Sequence, residues 1–221
     1  MTDGELHLSP LCLIVPGLGN SGPGHWQTLW EQQRHDCLRV QLGMWDSPVR
    51  NVWISRIDQA VAAAQGPVVL VAHSLGCHAV LWWTRLLGEE VPGNVVGALL
   101  VAPPDVDRRD TSPLIARFAP APKAILPFPT IVVASSDDLY CDPDRSAELA
   151  AGWAADLVLL EGEGHINAAS GLGAWNEGQE LLERLLDARP RSSTILPRDG
   201  RRAEAGRMER SAISRGGGGL G

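Results

Sequence analysis

Ser74 stands in the run Val71-Ala72-His73-Ser74-Leu75-Gly76-Cys77, where a short apolar stretch gives way to a helical pattern. A serine on a sharp strand-to-helix turn holds its hydroxyl clear of the sheet, and small residues on either side let the helix pass close to the strand. Gly76 meets that requirement fully, and Ala72, where a second glycine is usual, nearly does. A helix starting here sets free amides and the positive end of its dipole beside the hydroxyl, which suits the anion formed when such a serine attacks a carbonyl. The plainer role for Ser74 is to cap that helix.

A serine nucleophile needs a base, and the base needs an orienting group. Of the six histidines, at 7, 25, 35, 73, 78 and 165, only His165 follows the acidic segment Ser135-Ser136-Asp137-Asp138. It lies in Glu161-Gly162-Glu163-Gly164-His165, a glycine-rich loop after the last apolar run. The order serine, aspartate, histidine brings the three groups to the carboxyl edge of one parallel sheet. Asp137 and Asp138 are both candidates for the acid; we select Asp138, with Asp137 turning the loop. Asp142-Pro143 reads instead as an N-cap and first helical residue.

The loop Pro16-Gly17-Leu18-Gly19-Asn20-Ser21-Gly22-Pro23-Gly24-His25-Trp26 offers backbone rather than side chains. Its amides are the expected partners of a developing oxyanion, with Leu18 or Gly19 on one side and Leu75 on the other. Gly17 and Gly19 let the loop approach a substrate, His25 caps or braces it, and Trp26 and Trp45 are candidate pocket walls. No Gly-Lys-Ser/Thr follows, so a phosphate-binding loop is not indicated. The chemistry needs no metal or other cofactor. Cys12, Cys37, Cys77 and Cys141 form no Cys-x-x-Cys pair and read as small apolar residues.

Short β-branched runs alternating with helical stretches predict a parallel sheet flanked by helices. Strands are expected at 11–15, 38–42, 68–72, 95–102, 130–134 and 157–160, with helices at 52–64, 78–87 and 174–188. The segment between 102 and 130 carries seven prolines, which forbid a long helix and leave room for only a loop or very small lid. Residues 1–188 are expected to form one domain. Residues 189–221 are rich in Arg, Gly and Ser without apolar periodicity and read as a disordered tail. Their eight arginines against three acids leave about −12 of the net −7 on the preceding residues, which argues against nucleic acid as a partner. The acidic N-terminus and the lack of a long apolar run predict a cytoplasmic protein that does not engage membranes. Lys123 is the only lysine, an Arg-for-Lys bias that hints at a GC-rich bacterial genome.

The Pro16-to-Trp26 loop, Trp45-Asp46-Ser47-Pro48, His73-Ser74, Ser135-Ser136-Asp137-Asp138 and Gly164-His165 together resemble the retinoblastoma-binding protein 9 / YdeN family of small α/β hydrolases, over about residues 10–185. The resemblance implies a compact α/β-hydrolase fold of about six mostly parallel strands with no large cap. It also implies a metal-free serine mechanism on small or medium esters or amides, with Asp138 as the acid. Acyl transfer or thioester cleavage by the same triad, or a silent binding module on the same fold, are the alternatives. Leu139 stands where the family usually has proline. The Leu-x-Cys-x-Glu pattern behind the retinoblastoma name is absent, so no partner of that kind is expected.

Overall fold

The computed structural model describes residues 9–187. The expectations for the acidic N-terminus and for residues 189–221 lie outside the described residues, as does Ala188 at the end of the last predicted helix.

The chain runs β1 (Leu11–Val15), α1 (Trp26–Gln33), β2 (Cys37–Arg39), α2 (Arg50–Ala63), β3 (Val68–His73), α3 (Leu75–Leu87), β4 (Val95–Val101), α4 (Pro113–Ala116), β5 (Thr130–Ser135), α5 (Pro143–Gly152), β6 (Asp156–Leu160) and α6 (Asn176–Asp187). The six strands form one sheet in the order β2-β1-β3-β4-β5-β6, and every pair is parallel. Central β3 is buried along its whole length, which is why its sequence is apolar without alternation. Val68, Leu70 and Ala72 face a core shared with Trp53 and Ile57 of α2 and Val80 and Trp83 of α3. Val69 and Val71 face the opposite core, with Trp26 and Trp30 of α1 and Leu181, Leu182 and Leu185 of α6.

Strand order reverses between β1 and β3, so the connections leaving their carboxyl ends splay to opposite faces and open a crevice there. The loop after β1 and the turn after β3 both border it.

Several elements differ from the sequence expectation. β2 ends at Arg39 rather than Leu42. The Val40 amide still reaches the Ile14 carbonyl at 2.9 Å, but the Leu42 amide bonds back to Val40 at 2.9 Å, and the chain turns away at Gly43 and Met44, both with positive φ. Helix α1 was not anticipated; its N-cap is His25, whose Nδ1 accepts the Gln27 amide, in place of a commoner capping residue. Helix α3 begins directly after Ser74, three residues before the expected start.

The Pro-rich segment contains the single helical turn α4 and is fastened down by tryptophans: Trp82 Nε1 donates to the Phe118 carbonyl at 2.7 Å and Trp153 Nε1 to that of Pro122 at 2.9 Å. With Phe118, Leu126 and Phe128 buried, it forms a wall of the domain rather than a lid. Among the described residues no helix is long and apolar enough to cross a membrane.

Candidate active site

Ser74 sits between β3 and α3 with φ 52° and ψ −127°, a conformation that costs a non-glycine residue about 1–3 kcal/mol and must be imposed by its surroundings. Its amide is held by the Val101 carbonyl of β4 at 2.9 Å. A β carbon on Gly76 would collide with the carbonyl oxygens of Val15 and Pro16, and one on Gly17 would lie 2.8 Å from the β carbon of Ser74. The small residues are therefore required by contacts between the elbow and the end of β1. Ser74 occupies the N-cap position of α3, yet its side chain makes no capping bond.

The hydroxyl is engaged elsewhere. Ser74 Oγ lies 2.8 Å from His165 Nε2, and His165 Nδ1 lies 3.0 and 2.8 Å from the two oxygens of Asp138. A carboxylate at Nδ1 fixes the proton on that nitrogen and leaves Nε2 to accept from the serine. Asp138 is 6% exposed and also accepts the Tyr140 amide at 2.9 Å.

Asp137, next to it, is exposed and accepts from Ser135 Oγ at 2.8 Å and from the Gly164 amide at 2.7 Å. These bonds, the Ser135 hydroxyl first, hold its carboxyl below the ordinary range. Of the two candidates, Asp138 reaches the imidazole and Asp137 shapes the loop that carries it.

Two further bonds hold that loop. His73 Nε2 lies 3.0 Å from the His165 carbonyl, and Trp26 Nε1 donates to the Ile166 carbonyl at 2.9 Å. Burial, followed by His25 and His165 nearby, holds His73 well below its ordinary pKa, so it is neutral and donates from Nε2. The Tyr140 ring packs 4.5 Å from that of His165.

A cavity of about 190 Å³ opens at Ser74, with Leu18, Asn20, His25, Ile115, Tyr140 and Asn167 on its walls. The Gly19 amide is occupied by the Trp45 carbonyl at 3.0 Å, which removes Gly19 from the possible oxyanion donors. The amides of Leu18 and Leu75 have no such partner among the described residues, and Gly17 brings the two segments together, since its β carbon would lie 3.2 Å from the Leu75 nitrogen.

The structure does not place Trp26 or Trp45 on this cavity. Trp26 is 1% exposed and packs on Trp30 and Trp175 beneath the His165 loop, while Trp45 packs on Trp53. Gly17 acts through its close packing against the elbow, and Gly19 through its positive φ and its amide bond to the Trp45 carbonyl. His25 does brace the loop, and Gln27, unremarked in the sequence, is fully buried and ties α1 to the carbonyls of Val15 at 3.4 Å and Val71 at 3.1 Å. Asn20, Ile115, Tyr140 and Asn167 were also missed. The signal for Asn167 was its spacing from Ser170, which forms a reciprocal capping box just after His165.

Away from this site the fold brings Cys12, Asp36 and Cys37 together, a grouping that sequence spacing hid. Both oxygens of Asp36 are already taken by Arg34, at 3.0 and 2.8 Å.

Residues 12–184 match the protein family described as serine hydrolase. Among solved structures, a YdeN-like hydrolase from Pectobacterium atrosepticum is 28% identical with a TM-score of 0.71, covering 81% of this chain and 91% of its own. The ydeN gene product of B. subtilis is 18% identical with a TM-score of 0.64, covering 81% of this chain and 100% of its own. Est1E from Butyrivibrio proteoclasticus, 14% identical with a TM-score of 0.60 over 80% of this chain and 88% of its own, shares the fold. No curated protein matches the sequence. A strained serine elbow on a six-stranded parallel sheet, a family match across the whole described core and these neighbours converge: the chain belongs to the serine hydrolases, among the small YdeN-like members.

Proposed function

We propose that the chain hydrolyses small carboxylic esters or amides through an acyl-enzyme on Ser74, with His165 as base and Asp138 as the residue that orients it. The observation that carries this reading is the continuous set of bonds from Ser74 Oγ through His165 to both oxygens of Asp138. As Oγ attacks the carbonyl carbon, His165 Nε2 takes its proton, and the imidazolium is stabilised by Asp138. The oxyanion is received by the amides of Leu18 and Leu75, at the start of α3. His165 then delivers the proton to the leaving oxygen or nitrogen as its bond to carbon breaks. Water attacks the acyl-enzyme in the same way and releases the acid.

The leaving group departs with a proton from His165, so it lies on the His165 side. A second concavity of about 610 Å³ adjoins there, bordered by Tyr140, Gly162, Glu163, Gly164 and His165 but not by Ser74. The acyl group remains in the 190 Å³ cavity with Ser74. That volume is below the roughly 300–1,000 Å³ of sites for drug-sized ligands, which supports a short acyl chain. With no cap over the sheet edge, water reaches the acyl-enzyme, which favours hydrolysis over transfer to another acceptor.

The test is labelling by a fluorophosphonate probe, with the modified peptide identified by mass spectrometry. Modification at Ser74 in the wild type and none in Ser74→Ala is expected. Undiminished labelling of Ser74→Ala would end the proposal.

A further inference from the structure

His25, Asn20 and Asn167 border the Ser74 cavity, and each side chain carries one acceptor and one donor end. In all three the acceptor is taken by the protein. His25 Nδ1 receives the Gln27 amide at 3.1 Å, Asn20 Oδ1 receives Arg39 Nη1 at 3.0 Å, and Asn167 Oδ1 receives the Ala169 amide at 2.8 Å. What remains on this wall is a set of N–H groups.

His25 is the most demanding of them. The residue is 4% exposed, and Nε2 is buried without a partner among the described residues. Because Nδ1 accepts, the neutral ring carries its proton on Nε2. Burial, and then Arg39 and His165, lower its pKa to about 4, which keeps the ring neutral at physiological pH. A buried donor with no acceptor is unfavourable, and a ligand atom that accepts from it recovers the lost interaction.

We propose that this donor set makes His25 and Asn167 specificity-determining residues, selecting short acyl groups that carry an oxygen acceptor close to the scissile carbonyl, as in alkoxyacyl, hydroxyacyl or ketoacyl groups. A purely alkyl chain leaves the Nε2–H of His25 unpaired and strips water from the asparagine amides without replacement, whereas an ether, hydroxyl or keto oxygen meets them. A substrate lacking the matching polar atom is disfavoured because it leaves a buried group unsatisfied. The proposal rests on Ser74 being the acylated residue.

The experiment compares p-nitrophenyl methoxyacetate with p-nitrophenyl butyrate, whose acyl groups differ by an oxygen in place of a methylene. Each kcat/KM is divided by the hydroxide-catalysed rate of the same ester, which removes intrinsic reactivity. The wild type should prefer the methoxyacetyl ester by about tenfold, the worth of one hydrogen bond to a neutral donor. His25→Ser keeps an acceptor for the Gln27 amide and removes the Nε2–H; Asn167→Ser keeps one for Ala169 and removes the amide donor. In each folded variant, checked by circular dichroism, the preference should fall at least threefold. If one fails to fold, the other decides. A corrected ratio of one or below in the wild type, or a ratio unchanged in the folded variants, overturns the proposal. If instead Ser74 takes no fluorophosphonate label, it is the acylation reading that fails.

Discussion

His73 and His165 are joined through a bond that bypasses the imidazole of the latter: Nε2 of His73, the residue before the serine, donates to the backbone carbonyl of His165 at 3.0 Å. The nucleophile turn and the base loop, 91 residues apart at Ser74 and His165, are thereby fixed to each other at two points.

His73→Phe should therefore lower kcat by about tenfold with little change in KM, since the lost bond positions the base and does not hold substrate. His73→Gln, which retains a donor of similar reach, should recover most of the loss. Steady-state kinetics on p-nitrophenyl acetate separates the two parameters.

Adjacent aspartates should behave very differently. Asp138→Asn removes the charge that stabilises the imidazolium and permits the wrong tautomer, so kcat should fall roughly a thousandfold to ten-thousandfold. Asp137→Asn retains an acceptor for Ser135 and Gly164 and should cost less than tenfold. Equal losses in kcat would contradict the assignment.

The approach of β1 to the elbow makes Gly76 intolerant of a side chain. Gly76→Ala forces a β carbon against the Val15 and Pro16 carbonyls and should destabilise the fold by about 1–3 kcal/mol. Gly152→Ala, at the end of α5 with open space around it, should change stability by less than about 0.5 kcal/mol. Urea midpoints measure both.

Stability should also fall on mild acidification. His25 and His78 are held neutral with pKa values lowered to about 4, and His73 is lowered too, in each case first by burial. In the unfolded chain these rings titrate near 6.5, so between about pH 6.5 and 4 the unfolded state binds more protons. The contribution is complete above pH 6.5 and is lost as pH falls, by up to about 1.4 kcal/mol per pH unit for each ring. Chemical denaturation at pH 7.5 and 5 should show the drop, and His78→Gln, which does not line the Ser74 cavity, should reduce its slope.

The elbow was legible because one short segment contains its strand, its small residues and its helix start. His165 was legible from chain order alone. Asp138 was chosen over Asp137 on the family resemblance, because two neighbouring acids in a loop do not themselves disclose which is buried against the imidazole. β2 was overextended because Val40 and Leu42 are buried like strand residues while their backbone turns away from the sheet. Trp26 and Trp45 looked like pocket walls since aromatic burial has no direction in sequence; their partners, Trp175 and Trp53, lie 149 and 8 positions away. Asn20 and Asn167 were invisible for the opposite reason. Their character as donors comes from Arg39 and Ala169 occupying their oxygens.

The most direct test of the three-residue relay is the turnover of p-nitrophenyl acetate by wild type, Ser74→Ala, His165→Ala and the double variant. Groups that act as a unit lose their function together, so each single change should reduce kcat/KM by at least a thousandfold and the double variant should be no worse than Ser74→Ala. Turnover by Ser74→Ala within tenfold of wild type, or losses that multiply in the double variant, would contradict the relay.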